Sequence, residues 1–262
     1  MEYFTESIGC FEVVFDPYNG VTVKSESIPN NKEQFEKNLQ QLIQQLKEGK
    51  RNLLWIYLDI EHSYLIPYLS MHGFTFHTCQ TTRLLMVKKI ANNPIIPTAS
   101  NHTLGVGVVV LNDANEVLVI QERISKTTYK LPGGHIDDGE MISTAVAREV
   151  KEETGVDVVF DSIISLGHFY PHQFDKSNLY IICKATPLSA EINISDTAEI
   201  VDAKWVDVQE YLNDDEVLEY NKELISLALN TKGLKPFDLE SLKKIPKTYE
   251  LFKLDKITQM SY

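Results

Sequence analysis

The sequence predicts an α/β fold of the α+β kind, divided between two domains. Three observations lead there. Short β-rich runs bounded by turn formers alternate with stretches of helical periodicity along the chain. One polar, proline-containing stretch, "ANNPIIPTASN" at residues 91–101, interrupts the pattern and reads as a linker. The length of 262 residues and the 43% hydrophobic fraction suit one large or two ordinary domains with a sizeable core.

Residues 1–90 make up the first domain. "CFEVVFD" and "GVTVKS" are β-rich runs separated by the turn former "PYNG". "NKEQFEKNLQQLIQQLKEGK" reads as a helix, because Phe35, Leu39, Leu42, Ile43 and Leu46 recur at helical spacing. The strand "NLLWIYLD", a short helix around "SYLIPYL" and the strands "FTFHTC" and "TRLLMVKK" complete an order of ββαβαββ. The second domain covers 102–230. It opens with strands in "LGVGVVVL" and "EVLVIQE", with "NDAN" as the turn between them. A glycine-rich loop and a helix follow, then strands in "DVVFDSIISLGHFY", "NLYIICKATPL" and "AKWVDV". The helix "VLEYNKELISLAL" closes this domain, and a proline-punctuated tail occupies 231–262.

The net charge of −12 argues against a surface for nucleic acid, which needs clustered Lys and Arg. It leaves room for a small phosphorylated ligand held through metal. Cys10, Cys79 and Cys183 are far apart, odd in number and without a CxxC pair, so neither a zinc site nor a disulfide framework is indicated. They read as three buried, reduced thiols. "MEYFTESIGC" lacks a basic region followed by an apolar run. No apolar stretch approaches the ~20 residues needed to span a bilayer. The expectation is a soluble, cytoplasmic protein with no membrane partner.

The chemistry concentrates in "LPGGHIDDGEMISTAVAREVKEETGV", from Leu131 to Val156. Ile142, Val146, Glu149 and Glu153 lie on one helical stripe, apolar in its first half and acidic in its second. Glu149, Glu152 and Glu153 crowd together, and like charges at this spacing repel by ~0.2–0.5 kcal/mol per pair. They sit just before Gly155, a natural helix terminator. There the macrodipole costs a carboxylate a further ~0.3–1 kcal/mol. Two of the three also continue a buried face, where an uncompensated charge costs several kcal/mol more. A hard divalent cation reverses each of these terms, since it prefers clustered oxygen ligands. The alternative is a plain charged face turned to solvent.

The flanks sharpen the reading. Gly134 is followed after five residues by Glu140, then after seven by Arg148-Glu149-Val150, then by Glu152-Glu153 and Gly155-Val156. This spacing resembles the Nudix box, the signature of hydrolases acting on nucleoside diphosphates linked to another moiety. The resemblance implies a C-terminal α/β/α sandwich with a mixed sheet. It implies Mg2+ or Mn2+ held by Glu149, Glu152 and Glu153 with Gly134, and an Arg148 that orients the acids, with Glu140 among its partners. Metal-activated water would then attack phosphorus. A carboxylate would accept its proton; Glu153 and Glu199, the latter in "TAEIVDAKW", are the two candidates.

Outside the box, the likeness extends over roughly residues 8–230 to a subgroup. It includes plant ADP-ribose/NADH diphosphatases and the vertebrate nucleoside diphosphate-linked moiety X motif 6. In that subgroup the first domain resembles an acetyltransferase fold. Here it lacks a glycine-rich acetyl-CoA loop, so it reads as a structural, dimer-forming or substrate-gating module, and a homodimer is expected. Pro171, sixteen residues after Gly155, resembles the ADP-ribose subgroup; Tyr170 resembles a dinucleoside-polyphosphate marker. Gly133, Gly134, Tyr170 and His172 are candidate substrate contacts: Phe169, Tyr170, His168 and His172 either stack on adenine or reach phosphate, or pack at a strand end, and Arg123 faces either a substrate phosphate or water. The expected function is metal-dependent hydrolysis of a small nucleotide such as ADP-ribose or NADH. Hydrolysis of dinucleoside polyphosphates or capped RNA, and non-catalytic sensing of an ADP-ribose-like ligand, are the alternatives.

Overall fold

The computed structural model describes residues 4–124 and 128–254. The chain divides into two compact units, Met1–Ser100 and Asn101–Tyr262. Among the described residues no helix is long and apolar enough to cross a membrane.

The first unit is a six-stranded sheet packed on helices. Its strands are β1 (Thr5–Ile8), β2 (Phe11–Phe15), β3 (Gly20–Val23), β4 (Leu53–Asp59), β5 (Phe74–Cys79) and β6 (Arg83–Lys89). Their order is β1-β2-β3-β4-β6-β5; only β3 and β4 run parallel, joined by the crossover helix α1 (Lys32–Glu48). Asn31 caps α1 by accepting the Gln34 N–H. The predicted stripe of α1 buries Phe35, Leu39, Leu42 and Leu46 against Phe11, Val13, Leu54 and Ile56. The short helix α2 (Ile66–Met71) adds Tyr68 and Leu69 to the same core. Strand β1 is absent from the sequence reading, because "TESI" is polar and sits exposed at the sheet edge.

The second unit contains β7 (His102–Val110), β8 (Glu116–Glu122), β9 (Gly133–His135), α3 (Ile142–Thr154), β10 (Val158–Phe169), β11 (Ser177–Pro187) and β12 (Ile200–Asp207). It continues through α4 (Val208–Asn213), α5 (Glu219–Asn230), β13 (Lys235–Pro236) and β14 (Phe252–Lys253). A mixed sheet of order β10-β11-β7-β9 stands beside the antiparallel pair β12-β8. Helix α3 covers one face of the sheet, burying Ala145, Val146 and Val150 on Val106, Val108 and Val110. Helices α4 and α5 cover the other, burying Tyr211, Leu224 and Ile225 on Val109, Val117 and Ile182. Coverage of both faces explains why β7 is almost continuously apolar, and the layers form an α/β/α sandwich.

Three features depart from the sequence reading. β7 and β8 flank a tight turn, with Asn112 accepting from Ala114 and Glu116. Beyond the Leu111–Val117 bridge, however, they separate into different sheets. Of the tail, residues 231–254 pack within the second unit, where Leu234 bridges Ile163 and β13 pairs β14. The cysteines are all free, as expected, but only Cys183 is buried. Cys79 is exposed because it ends β5, an edge strand of its sheet.

Candidate active site

Helix α3 ends at Gly155, whose φ of 78° is left-handed. A Cβ there would lie 2.4 Å from the Asn193 carbonyl oxygen, so glycine also admits the close approach of the 193–199 loop. That loop satisfies carbonyls the helix end leaves open. The Asn193 N–H donates to Thr154 O at 2.9 Å, and the Ser195 hydroxyl and Asp196 N–H both donate to Glu152 O. At the other end, Met141 supplies no side-chain cap. Glu250, from the segment beyond β13, does so instead, accepting from the N–H groups of Ile142 at 2.7 Å and Ser143 at 3.1 Å. A carboxylate there also meets the positive end of the helix dipole.

The acidic stripe lands inside. Glu153 is 5% exposed and accepts a 2.8 Å hydrogen bond from the Gly133 N–H. Glu149 is largely buried, and a Cβ on Gly134 would stand 2.6 Å from both its carboxylate oxygens. The glycine therefore lets β9 lie directly on the carboxylate. Glu152 is exposed. Burial pushes Glu153 up to about 8, aided by Glu149 and Glu199 and opposed by the Gly133 N–H and Lys130. Burial also raises Glu149, against the pull of Arg148.

Arg148 organises the acids. Its Nε and Nη2 donate to the two oxygens of Glu140 at 2.8 Å each, a bidentate pair. Nη1 bridges Glu149 at 2.9 Å and Glu152 at 3.1 Å, and Nη2 also donates to His135 O. This pairing holds Glu140 below the usual carboxylate range and Arg148 above its ordinary value. Part of the repulsion foreseen from sequence is thus offset within the chain, since Arg148 lies between Glu149 and Glu152. Among the described residues no three His, Cys, Asp or Glu side chains are gathered as a metal-ligand group. Arg148 holds Glu149 and Glu152, while Glu153 turns back to Gly133.

The remaining predicted residues lie around this cluster. Glu199 is exposed on the loop that docks on α3, close enough for its charge to act on Glu153. Arg123 points to that loop: its guanidinium donates to Thr197 O at 2.8 Å and Ala198 O at 3.2 Å, and its backbone N–H donates to Glu199 O. Tyr170 is 70% exposed. The His172 ring lies 6.2 Å from that of His135, and its buried Nε2 has no hydrogen-bond partner among the described residues. Lys130, Glu250 and Tyr180 are absent from the sequence reading. For Tyr180 a signal existed: glycines at 105, 107 and 167 inside strands mark close approach by another group.

Comparison with known proteins assigns both halves of the chain alike. Residues 101–227 match the NUDIX domain, and residues 11–90 match a Nudix hydrolase domain. The chain belongs to the Nudix hydrolase family. It is 35% identical to Nudix hydrolase 8 of Arabidopsis thaliana over 203 residues, 75% of this chain and 55% of that protein. The chain therefore spans about half the length of that relative. It is 33% identical to Nudix hydrolase 7 of the same plant over 215 residues, 79% of this chain and 76% of that one. It is 40% identical to nucleoside diphosphate-linked moiety X motif 6 of Xenopus laevis over 154 residues, 56% of this chain and 70% of that protein.

Proposed function

We propose that this chain hydrolyses the diphosphate linkage of nucleoside diphosphate-linked compounds, ADP-ribose and NADH foremost, with Mg2+ or Mn2+ as cofactor. The observation that carries the reading is Glu153, a carboxylate 5% exposed and packed at one helix end with Glu149. Such burial disfavours the charged form, and a hard cation restores it. The donors are of the type such an ion takes: Glu149, Glu152 and Glu153 offer carboxylate oxygens, and Gly134 offers its carbonyl; binding would draw together acids that Arg148 and the Gly133 N–H now hold apart. Bound there, the metal would neutralise diphosphate oxygens and lower the pKa of a water.

The chain's own groups supply the rest. Arg148 fixes Glu140, Glu149 and Glu152 in one array. Glu153 or Glu199 accepts the proton of the attacking water as its oxygen bonds to phosphorus and the bridging P–O bond breaks. With ADP-ribose the products are AMP and ribose 5-phosphate. Pro171, sixteen residues after Gly155, supports ADP-ribose as substrate. The first unit supports a homodimer in this reading; light scattering at the monomer mass would remove that role.

A screen of ADP-ribose, NADH, dinucleoside polyphosphates and capped RNA with each metal tests the proposal. Release of AMP or its counterpart from the first two is expected. Ligand binding without turnover would instead identify a sensor.

A further inference from the structure

At one end of the mixed sheet, two histidines meet that the diphosphate chemistry does not use. His102 is the first residue of β7, and His168 is the last but one of β10. These strands are not neighbours, since β11 runs between them. Across two strand spacings, roughly 10 Å, the side chains reach over β11 until their Nε2 atoms stand 3.2 Å apart. The ring centroids are 5.2 Å apart. Tips nearer than centres mean that the two imidazoles aim their Nε2 atoms towards one another. Both residues are exposed.

Asn101 fixes the tautomer of His102. Its Oδ1 lies 2.7 Å from His102 Nδ1 and can only accept, so Nδ1 carries the hydrogen and Nε2 the lone pair. Asn101 is itself tied to the sheet, because its carbonyl accepts from the Ser177 N–H of β11 at 3.2 Å. A histidine whose other nitrogen donates to a fixed oxygen has the arrangement that orients a metal ligand. A hydrogen bond between two exposed neutral rings, by contrast, gains little over bonds to water.

We infer that His102 and His168 form a chelating site for a divalent transition ion of the Zn2+ class, separate from the glutamates. The separation of the nitrogens is the first support. Two nitrogens bound at ~2.0–2.1 Å to one tetrahedral ion stand about 3.3 Å apart, close to the 3.2 Å between these two. Donor type is the second support: imidazole suits Zn2+, Ni2+ and Cu2+, whereas carboxylates suit Mg2+ and Mn2+. In the metal-free pair His168 must donate, because His102 Nε2 can only accept. The ion takes the place of that hydrogen, which passes through solvent to His168 Nδ1. Among the described residues no third His, Cys, Asp or Glu joins the pair, so water or a small anion completes the coordination. The ion ties the start of β7 to the end of β10, two residues before Tyr170.

The test titrates Zn2+ into the full chain by calorimetry, with Mg2+ in large excess to fill the carboxylates. Wild type is compared with His102→Gln, His168→Gln and Asn101→Ala, each checked for folding by circular dichroism. Wild type is expected to bind one Zn2+ that Mg2+ does not displace, with a Kd below about 100 µM. Each histidine substitution should weaken that binding about tenfold or more, and Asn101→Ala about tenfold. Zn2+ should raise the unfolding temperature of wild type and leave that of the histidine variants unchanged. No Zn2+ binding by wild type below about 100 µM, or wild-type affinity in either histidine variant, overturns the site. Binding and unfolding are read without substrate, so failure here leaves the hydrolase reading standing.

Discussion

Glu153→Gln is expected to stabilise the metal-free protein near neutral pH while abolishing most turnover. A glutamate in the unfolded chain releases its proton near 4.5, whereas burial pushes Glu153 up to about 8. Below the lower value both states hold the proton, so wild type and variant should unfold alike. Between the two values the folded state keeps a proton that the unfolded state has released. Wild-type stability then falls by about 1.4 kcal/mol per pH unit as pH rises. The loss reaches about 3 kcal/mol at pH 7 and stops growing above the folded value. Glutamine cannot ionise, and it keeps an oxygen for the Gly133 N–H. For a unit of this size 1 kcal/mol moves Tm by about 2–4 °C, so the variant should melt roughly 6–12 °C higher at pH 7.

Calorimetry in EDTA across about pH 4.5 to 8.5 reads this gap. A gap that does not widen with pH, or a variant that melts lower than wild type at pH 7, refutes the reasoning. With Mg2+ or Mn2+ at a hundred times Kd, wild type should gain about 2.7 kcal/mol. The variant should gain less, and its kcat should fall by orders of magnitude. Equal metal stabilisation of both proteins would remove Glu153 from the ligand set.

Arg148→Lys cannot keep the bidentate Glu140 pair and the Glu149–Glu152 bridge together. It should cost about 1–3 kcal/mol in urea unfolding and lower turnover; an unchanged midpoint would show the array contributes nothing to the fold. Glu250→Ala frees the N–H groups of Ile142 and Ser143. A loss of about 1 kcal/mol is expected, typical of a helix cap, and a wild-type denaturation midpoint would contradict it. Gly155→Ala must bear a φ of 78° and a Cβ 2.4 Å from the Asn193 oxygen. About 2 kcal/mol or more should be lost, with turnover reduced as the Glu199 loop shifts; a wild-type Tm would show that the loop yields freely.

The acidic stripe was legible because it is local: positions four apart on a helix share a face whatever the fold around them. Spacing therefore sufficed to expect burial at Glu153, which is 5% exposed. The pairing of Arg148 with Glu140 was implied by the resemblance to the Nudix box rather than by helix spacing, since Glu140 lies before α3. The role of Arg123 was not legible, since facing substrate or water depended on where the 193–199 loop lay. Tyr180 depended on strand pairing across β10, β11 and β7, which sequence periodicity does not specify. The separation of β7 from β8 was hidden too, because "NDAN" makes the same turn whether its strands stay paired or part. Glu250 could not be foreseen as a cap, lying 108 positions beyond Ile142.

The two seals of α3 bear on the order in which the molecule assembles. The helix closes its own turns locally, within the time a short segment needs to coil. Its last turn is finished by residues some forty positions later, and its first turn by Glu250, 108 positions later. Contacts of such separation carry the entropy of closing long loops and form late. During synthesis α3 therefore emerges with both ends open, and its first turn stays uncapped until the segment bearing Glu250 has docked. Pulse-labelled hydrogen exchange should show the amides of the middle of α3 protected before those of Ile142 and Ser143.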